Sequence, residues 1–263
     1  MQHFRGTPFF SKAEHRMFRL KRFPRILISF YIIGYIFAFF ALFYQTKWVF
    51  AVITFASSAL LNVLNVMSDE YRSTKYFIRA KKLIDKGQLD VAADAIVTAA
   101  RIMPNEDILV QINATVKKNP QHYGKTAALL EQRFKEFDSP FLRFVASSFY
   151  YSVHDLGKAR DVMIDVPYAD LTIKATRLLG SVLYELGDYA KAIRVFTPFD
   201  PQRNPANEDE LAILYGIAIC HIARKESRKA VEFLTRIKAK SPKFGNAENL
   251  IKQLNEEPAS TST

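Results

Sequence analysis

Two stretches without a single charged side chain constrain this chain most: Ile26 to Tyr44, 19 residues, and Trp48 to Met67, 20 residues. Each is long enough, as a helix, to cross a bilayer's hydrocarbon core. The first holds twelve Ile, Leu or Phe, which gives roughly −4 to −7 kcal/mol of apparent insertion free energy at a few tenths per residue. The second gains less, because Ser57, Ser58, Asn62 and Asn65 offset part of its apolar content. Only Gln45, Thr46 and Lys47 separate the runs, so residues 26–67 are expected to form a tight transmembrane hairpin (26–44 and 48–67). Tyr44 and Trp48 then meet at one interface, where aromatic belts form. Gly34 and Ala38 are small enough to let the second helix approach through Ala56 and Ala59.

Residues 1–25 form a basic aromatic arm, in which Arg5, Lys12, Arg16, Arg19, Lys21, Arg22 and Arg25 alternate with Phe4, Phe9, Phe10, Phe18 and Phe23. Such a mixture suits an anionic bilayer surface or serves to set topology. Arg22 and Arg25 stand where the first span enters the membrane. No small-residue cleavage site follows that span and a second comes at once, which favours an uncleaved anchor over a signal peptide. Cations before the first span and Arg72, Lys75, Arg79, Lys81 and Lys82 after the second place both ends on the cytoplasmic side. The expected location is a bacterial inner membrane, with a mitochondrial or other organelle membrane as the alternative.

The formal charge of +11 is concentrated early. From Ser68 onward 29 basic residues face 25 acidic ones, a net of +4, so the basic balance does not argue for nucleic acid. The single cysteine, Cys220, excludes an intrachain disulfide.

Beyond residue 68 the pattern changes to short amphipathic helices. In Arg177 to Phe196, apolar residues recur at helical spacing through Leu178, Leu179, Val182, Leu183 and Leu186. Gly187-Asp188-Tyr189 interrupts them, and Ala192, Ile193 and Phe196 resume the pattern. Similar turns precede Ala92, Ala127, Ala159 and Ala230, so the marker alanines are spaced by 35, 32, 33 and 38 residues. Gly87 and Leu156-Gly157 mark two of those turns, and Gly124 precedes the poorest unit, around Ala127. Gly180 and its counterparts Ala80, Ser147 and Ala218 stand where the two helices of a unit cross, with the marker alanine opposite. Phe196 fills the gap to the next unit.

The order Leu179-Gly180, Tyr184, Ala192 and Phe196, at a period near 34, resembles the tetratricopeptide repeat (TPR) family. Following the expected two-helix transmembrane hairpin, the resemblance implies a TPR-like solenoid of about five helix-turn-helix units over 68–256, which makes the chain all-α. Asn246 to Glu257 would cap it, and 257–263 would be a frayed tail. It also implies a groove lined by each unit's first helix. Projecting the family's groove positions gives Phe77, Lys81 and Ile84, Ile112 and Val116, Phe144 and Tyr151, Lys174, Arg177 and Tyr184, then Tyr215 and Ile219. Aromatics with a few cations suit a peptide or helix carrying acids. Lys81 and Asn113 match the carboxylate-clamp subtype, but Phe77, Phe141 and Val145 replace its other members, so chaperone-tail binding is not implied.

No catalytic constellation emerges. His3, His15, His122, His154 and His221 are scattered, Cys220 reads as core, and neither a phosphate loop nor a nucleophile elbow is present. The expectation is a non-enzymatic, membrane-anchored scaffold that binds a protein partner. No metal, cofactor, small-molecule substrate or nucleic acid is expected. The alternative is an accessory subunit of a multi-span complex that interacts through its hairpin.

Overall fold

The computed structural model describes residues 68–106, 119–201, 205, 207–242 and 244–256. The basic arm with Arg22 and Arg25, the hairpin with Tyr44 and Trp48, the groove positions Ile112, Asn113 and Val116, and the tail lie outside the described residues. Among the described residues the chain is all-helical, and no helix is long and apolar enough to cross a membrane. The chain divides into two compact units.

One unit contributes α1 (Asp69–Asp85) and α2 (Leu89–Ile102), packed as an antiparallel pair. Ser68 caps α1 by accepting the Tyr71 N–H at 3.2 Å. α1 buries Ser73, Phe77, Ala80 and Ile84, one helical stripe, against the alanine-rich face of α2. Alanine at Ala92, Ala95, Ala99 and Ala100 lets the backbones come close. The Ser73 hydroxyl donates across the crossing to the carbonyls of Ala99 (3.1 Å) and Met103 (2.6 Å).

The other unit holds α3 (Pro120–Arg133), α4 (Pro140–Ser152), α5 (Leu156–Met163), α6 (Ile173–Glu185), α7 (Tyr189–Phe196), α8 (Glu208–Ala223), α9 (Ser227–Lys240) and α10 (Ala247–Glu256). α4 packs on α3 and α5, and α6 packs on α4, α5 and α7. α8 repeats the arrangement on α6, α7 and α9, and α10 closes against α9. Ser139, Thr172 and Asn207 cap α4, α6 and α8 through side-chain oxygens, each satisfying an otherwise orphaned N–H.

The pairs α1–α2, α4–α5, α6–α7 and α8–α9 share one turn. Each places a residue in the left-handed region: Gly87 (φ 76°), His154 (62°), Gly187 (82°) and Lys225 (61°). The next N–H bonds back five residues: Gln88 to Leu83, Asp155 to Tyr150, Asp188 to Leu183 and Glu226 to His221, all at 2.9–3.0 Å. That is the Schellman closure of a helix C-terminus. The carbonyls of Gln88, Asp155, Asp188 and Glu226 then accept the N–H of Ala92, Ala159, Ala192 and Ala230 at 3.0–3.1 Å. These four alanines therefore hold one structural position, four residues into the second helix, and all are fully buried.

Two expected markers move. Gly157 lies in the first turn of α5, and the left-handed position there belongs to His154. Gly124 sits inside α3, so it makes no turn, and the fourth residue of that helix is Tyr123 rather than Ala127. The glycine signal fails there because a left-handed residue need not be glycine and a glycine need not be left-handed. Replacing Lys225 with glycine removes a Cβ from a disfavoured backbone region, so Lys225→Gly is expected to stabilise the protein by about 1 kcal/mol. A thermal melt showing no gain would mean that the turn relaxes in solution.

The tightest packing joins α6, α7 and α8. The Phe196 ring lies over Gly180 of α6 and Gly216 of α8. A Cβ at Gly216 would fall 2.7 Å from the ring, and one at Gly180 would be closer still. Gly180 was expected at a crossing and Phe196 was expected to reach the next unit. In the next unit the ring meets Gly216, a residue that the sequence pattern does not single out.

Candidate functional site

The groove positions expected from the sequence separate into two groups. Phe77, Phe144 and Tyr215 are buried, with Ile84 and Ile219. Phe77 is on the buried stripe of α1. Phe144 belongs to α4, most of whose residues from Phe141 to Tyr150 are enclosed. Tyr215 joins the apolar cluster of Leu211, Leu214, Ala218, Leu234, Ile237, Ala247 and Leu250. Phe244 meets its ring edge-on at 6.2 Å, and Gly245 lies against the same ring, where a Cβ would clash. These three are core residues, a correction to the groove assignment. The approach to α10 covers Tyr215, and packing with neighbouring helices outweighs its polar handle.

Lys81, Tyr151, Lys174, Arg177 and Tyr184 remain partly accessible. Lys81 lies on α1, in the other unit. Tyr151 ends α4, Lys174 and Arg177 begin α6, and Tyr184 lies near the end of α6. The Tyr151 hydroxyl donates to Glu185 at 2.6 Å, which ties the ends of α4 and α6 together. Arg177 forms an ion pair with Asp209 in the first turn of α8. The acid also sits at the positive end of the α8 dipole. Successive first helices are thus laced side by side through polar groups about one repeat apart. Tyr184 packs at the edge of the apolar cluster, its ring 5.4 Å from that of Tyr189.

Glu185 and Asp209 were not singled out from the sequence. Their signal was a donor and an acceptor separated by 34 and 32 residues, close to the repeat length. A third tie at similar separation, Arg236 to Asp200, holds the α7–α8 loop to α9.

Burial governs the titrating groups on and near this face. Burial, and then the bond to Glu185, push the Tyr151 hydroxyl far up, so it stays a protonated donor. Burial also raises Tyr184 and Tyr215. The Cys220 thiol is buried and pushed up to about 12 by desolvation, which leaves no thiolate at neutral pH. His221 is bonded to Glu226 at 2.6 Å and stacked on Phe233 at 5.8 Å, so it is held in a packed corner of α8 and α9. Among the described residues no group of three or more His, Cys, Asp or Glu is placed to hold a metal ion.

In comparisons with known proteins, no family model matches the chain and no curated protein matches it.

Proposed function

We propose that this protein is a membrane-anchored, TPR-like helical scaffold whose first-helix face binds a protein partner. The observation that carries the repeat reading is the recurring turn at Gly87, His154, Gly187 and Lys225, each followed by a buried alanine in the same hydrogen-bonded place. Four copies of one local geometry, spaced by 67, 33 and 38 residues and so by about two, one and one repeat lengths, support a helical repeat in which one unit departs from the pattern. The two charge-free runs of 19 and 20 residues support the anchor. Cations on both flanks support an orientation with the helical region on the cytoplasmic side, in a bacterial inner membrane or an organelle membrane.

For the partner, the face built by Tyr151, Lys174, Arg177 and Tyr184 with Glu185 and Asp209 offers half-buried aromatics beside fixed charges. Such a surface recognises a peptide or helix through stacking and directed polar contacts. It holds no activated nucleophile, so the protein is read as a binding module and not an enzyme.

The test is site-specific photocrosslinking in intact membranes with the full chain. A photoreactive residue replacing Tyr184 should yield a discrete protein adduct, lost when Lys174→Glu is added. The same residue at Ile164, exposed at the end of α5, should yield none. Adducts formed only from positions in 26–67 would instead place the interface in the hairpin and make the protein an accessory subunit of a multi-span complex.

A further inference from the structure

Helix α1 carries two faces of opposite character. Ser73, Phe77, Ala80 and Ile84 are buried. On the other side Arg72, Lys75, Arg79 and Lys82 are exposed, and Lys86 at the C-cap continues the row. At 100° per residue these five cations fall within about 80° of arc, directly opposite the buried stripe. The helix's acids lie outside that arc: Asp69 and Glu70 in the first turn and Asp85 at the last residue. Arg72 meets Asp69 at 3.4 Å in an exposed pair, which is a weak restraint in water. No described acid pairs with Lys75, Arg79 or Lys82.

Beside the cations, two large apolar side chains stand in solvent, Tyr71 at 41% exposure and Ile78 at 44%. They lie seven residues apart, on the same edge of the helix. Arg72, Lys75, Tyr76 and Arg79 also line a recess of about 250 Å³. A folded domain gains nothing by leaving Tyr71 and Ile78 in water next to a row of like charges. An anionic bilayer surface accepts both: phosphates pair with the row, and the apolar side chains enter the headgroup boundary.

We propose that the exposed face of α1 is a docking surface for anionic lipid headgroups, which lays this helix along the membrane. Its position follows from the chain, because only Ser68 separates α1 from Met67, the end of the second charge-free run. The inference rests on the anchor proposed above for that proximity, and on the face itself for its chemistry. Lys75, Arg79 and Lys82 supply the charge, the recess seats a phosphodiester, and Tyr71 and Ile78 insert.

The test uses the full-length protein in nanodiscs of phosphatidylcholine alone or with phosphatidylglycerol. An environment-sensitive dye is attached through Ile78→Cys; the buried Cys220 stays unlabelled in the folded protein. The expected result is blue-shifted emission only with phosphatidylglycerol. High salt should reverse it by screening, as should the triple variant Lys75→Gln, Arg79→Gln, Lys82→Gln, with circular dichroism confirming retained helix. Identical emission in the two lipid compositions overturns the proposal, as does a shift driven by an added RNA oligomer but not by phosphatidylglycerol.

Extraction by alkaline carbonate reports on the anchor separately. Should the chain be extracted, the anchor reading falls and the α1 face is judged by flotation with the same two compositions. Neutralising each cation is expected to weaken anionic-vesicle binding about fivefold, hence about a hundredfold for three. Equal flotation of the variant and the parent protein would sink the docking surface.

Discussion

Gly180→Ala is expected to destabilise the protein by about 1–3 kcal/mol, opposite in sign to the effect of helix propensity. Gly180 lies within α6, where alanine in place of glycine ordinarily gains about 1 kcal/mol by restricting the unfolded chain and favouring the helix. The added methyl has nowhere to go, because the Phe196 ring occupies its place. Phe196 is buried, so it cannot swing into solvent without giving up its own burial. Overpacking therefore outweighs propensity. Gly216→Ala meets the same ring at 2.7 Å and should lose stability for the same reason. A double-mutant cycle gives the sharper result. Phe196→Leu alone opens a gap, but combined with Gly180→Ala it should cost less than the sum, with a coupling of at least about 0.5 kcal/mol. A raised unfolding midpoint for Gly180→Ala would show that the ring does not sit where described.

Arg236→Ala should cost about 2–3 kcal/mol, the range for losing several hydrogen bonds to a charged, largely buried partner. Its guanidinium grips Asp200 through two nitrogens, at 2.9 and 3.4 Å, and also donates to the Pro201 carbonyl. The Asp200 side chain is only 11% exposed, so truncating Arg236 removes the bidentate partner of a carboxylate with little access to water. The guanidinium also lies over Phe233, its Cζ 5.7 Å from the ring centre. Lysine has the charge but not the fork, and Arg236→Lys should recover less than half of the loss. Chemical denaturation of the two variants separates these contributions. A cost below about 0.5 kcal/mol for Arg236→Ala would place this pair with ordinary surface ion pairs.

What could be read from the sequence followed the contrast within each helix. α7, α9 and α10 each bury a narrow stripe whose phase followed from apolar spacing; α1 buries one too, but the groove projection took Phe77 and Ile84 from it. α8 is different. Nearly every residue from Leu211 to His221 is buried, because α6, α7, α9 and α10 surround or flank it. A helix apolar all round carries no phase, so the sequence could not pick out Gly216 or decide whether Tyr215 faced a groove or the core. α4 misled in the same way at Phe144. The other members of the expected face, Tyr151, Lys174, Arg177 and Tyr184, are partly accessible. Their partners Glu185 and Asp209 were hidden because the link joins residues one repeat apart, a distance at which no local pattern speaks.

The ring of Phe196 between two glycines has a consequence for how the helices open. Each helix pair of a repeat protein has its own local stability, and an interface term decides whether neighbours unfold together or singly. Here one aromatic side chain, rooted in α7 and enclosed by the backbones of α6 and α8, sits at the centre of that interface. Releasing α8 exposes the ring, and an exposed ring no longer holds α7 on α6. The slowest-exchanging amides of α6 and α8 should therefore exchange with deuterium at one common rate, as a single opening unit. Replacing Phe196 with alanine would divide that unit into two.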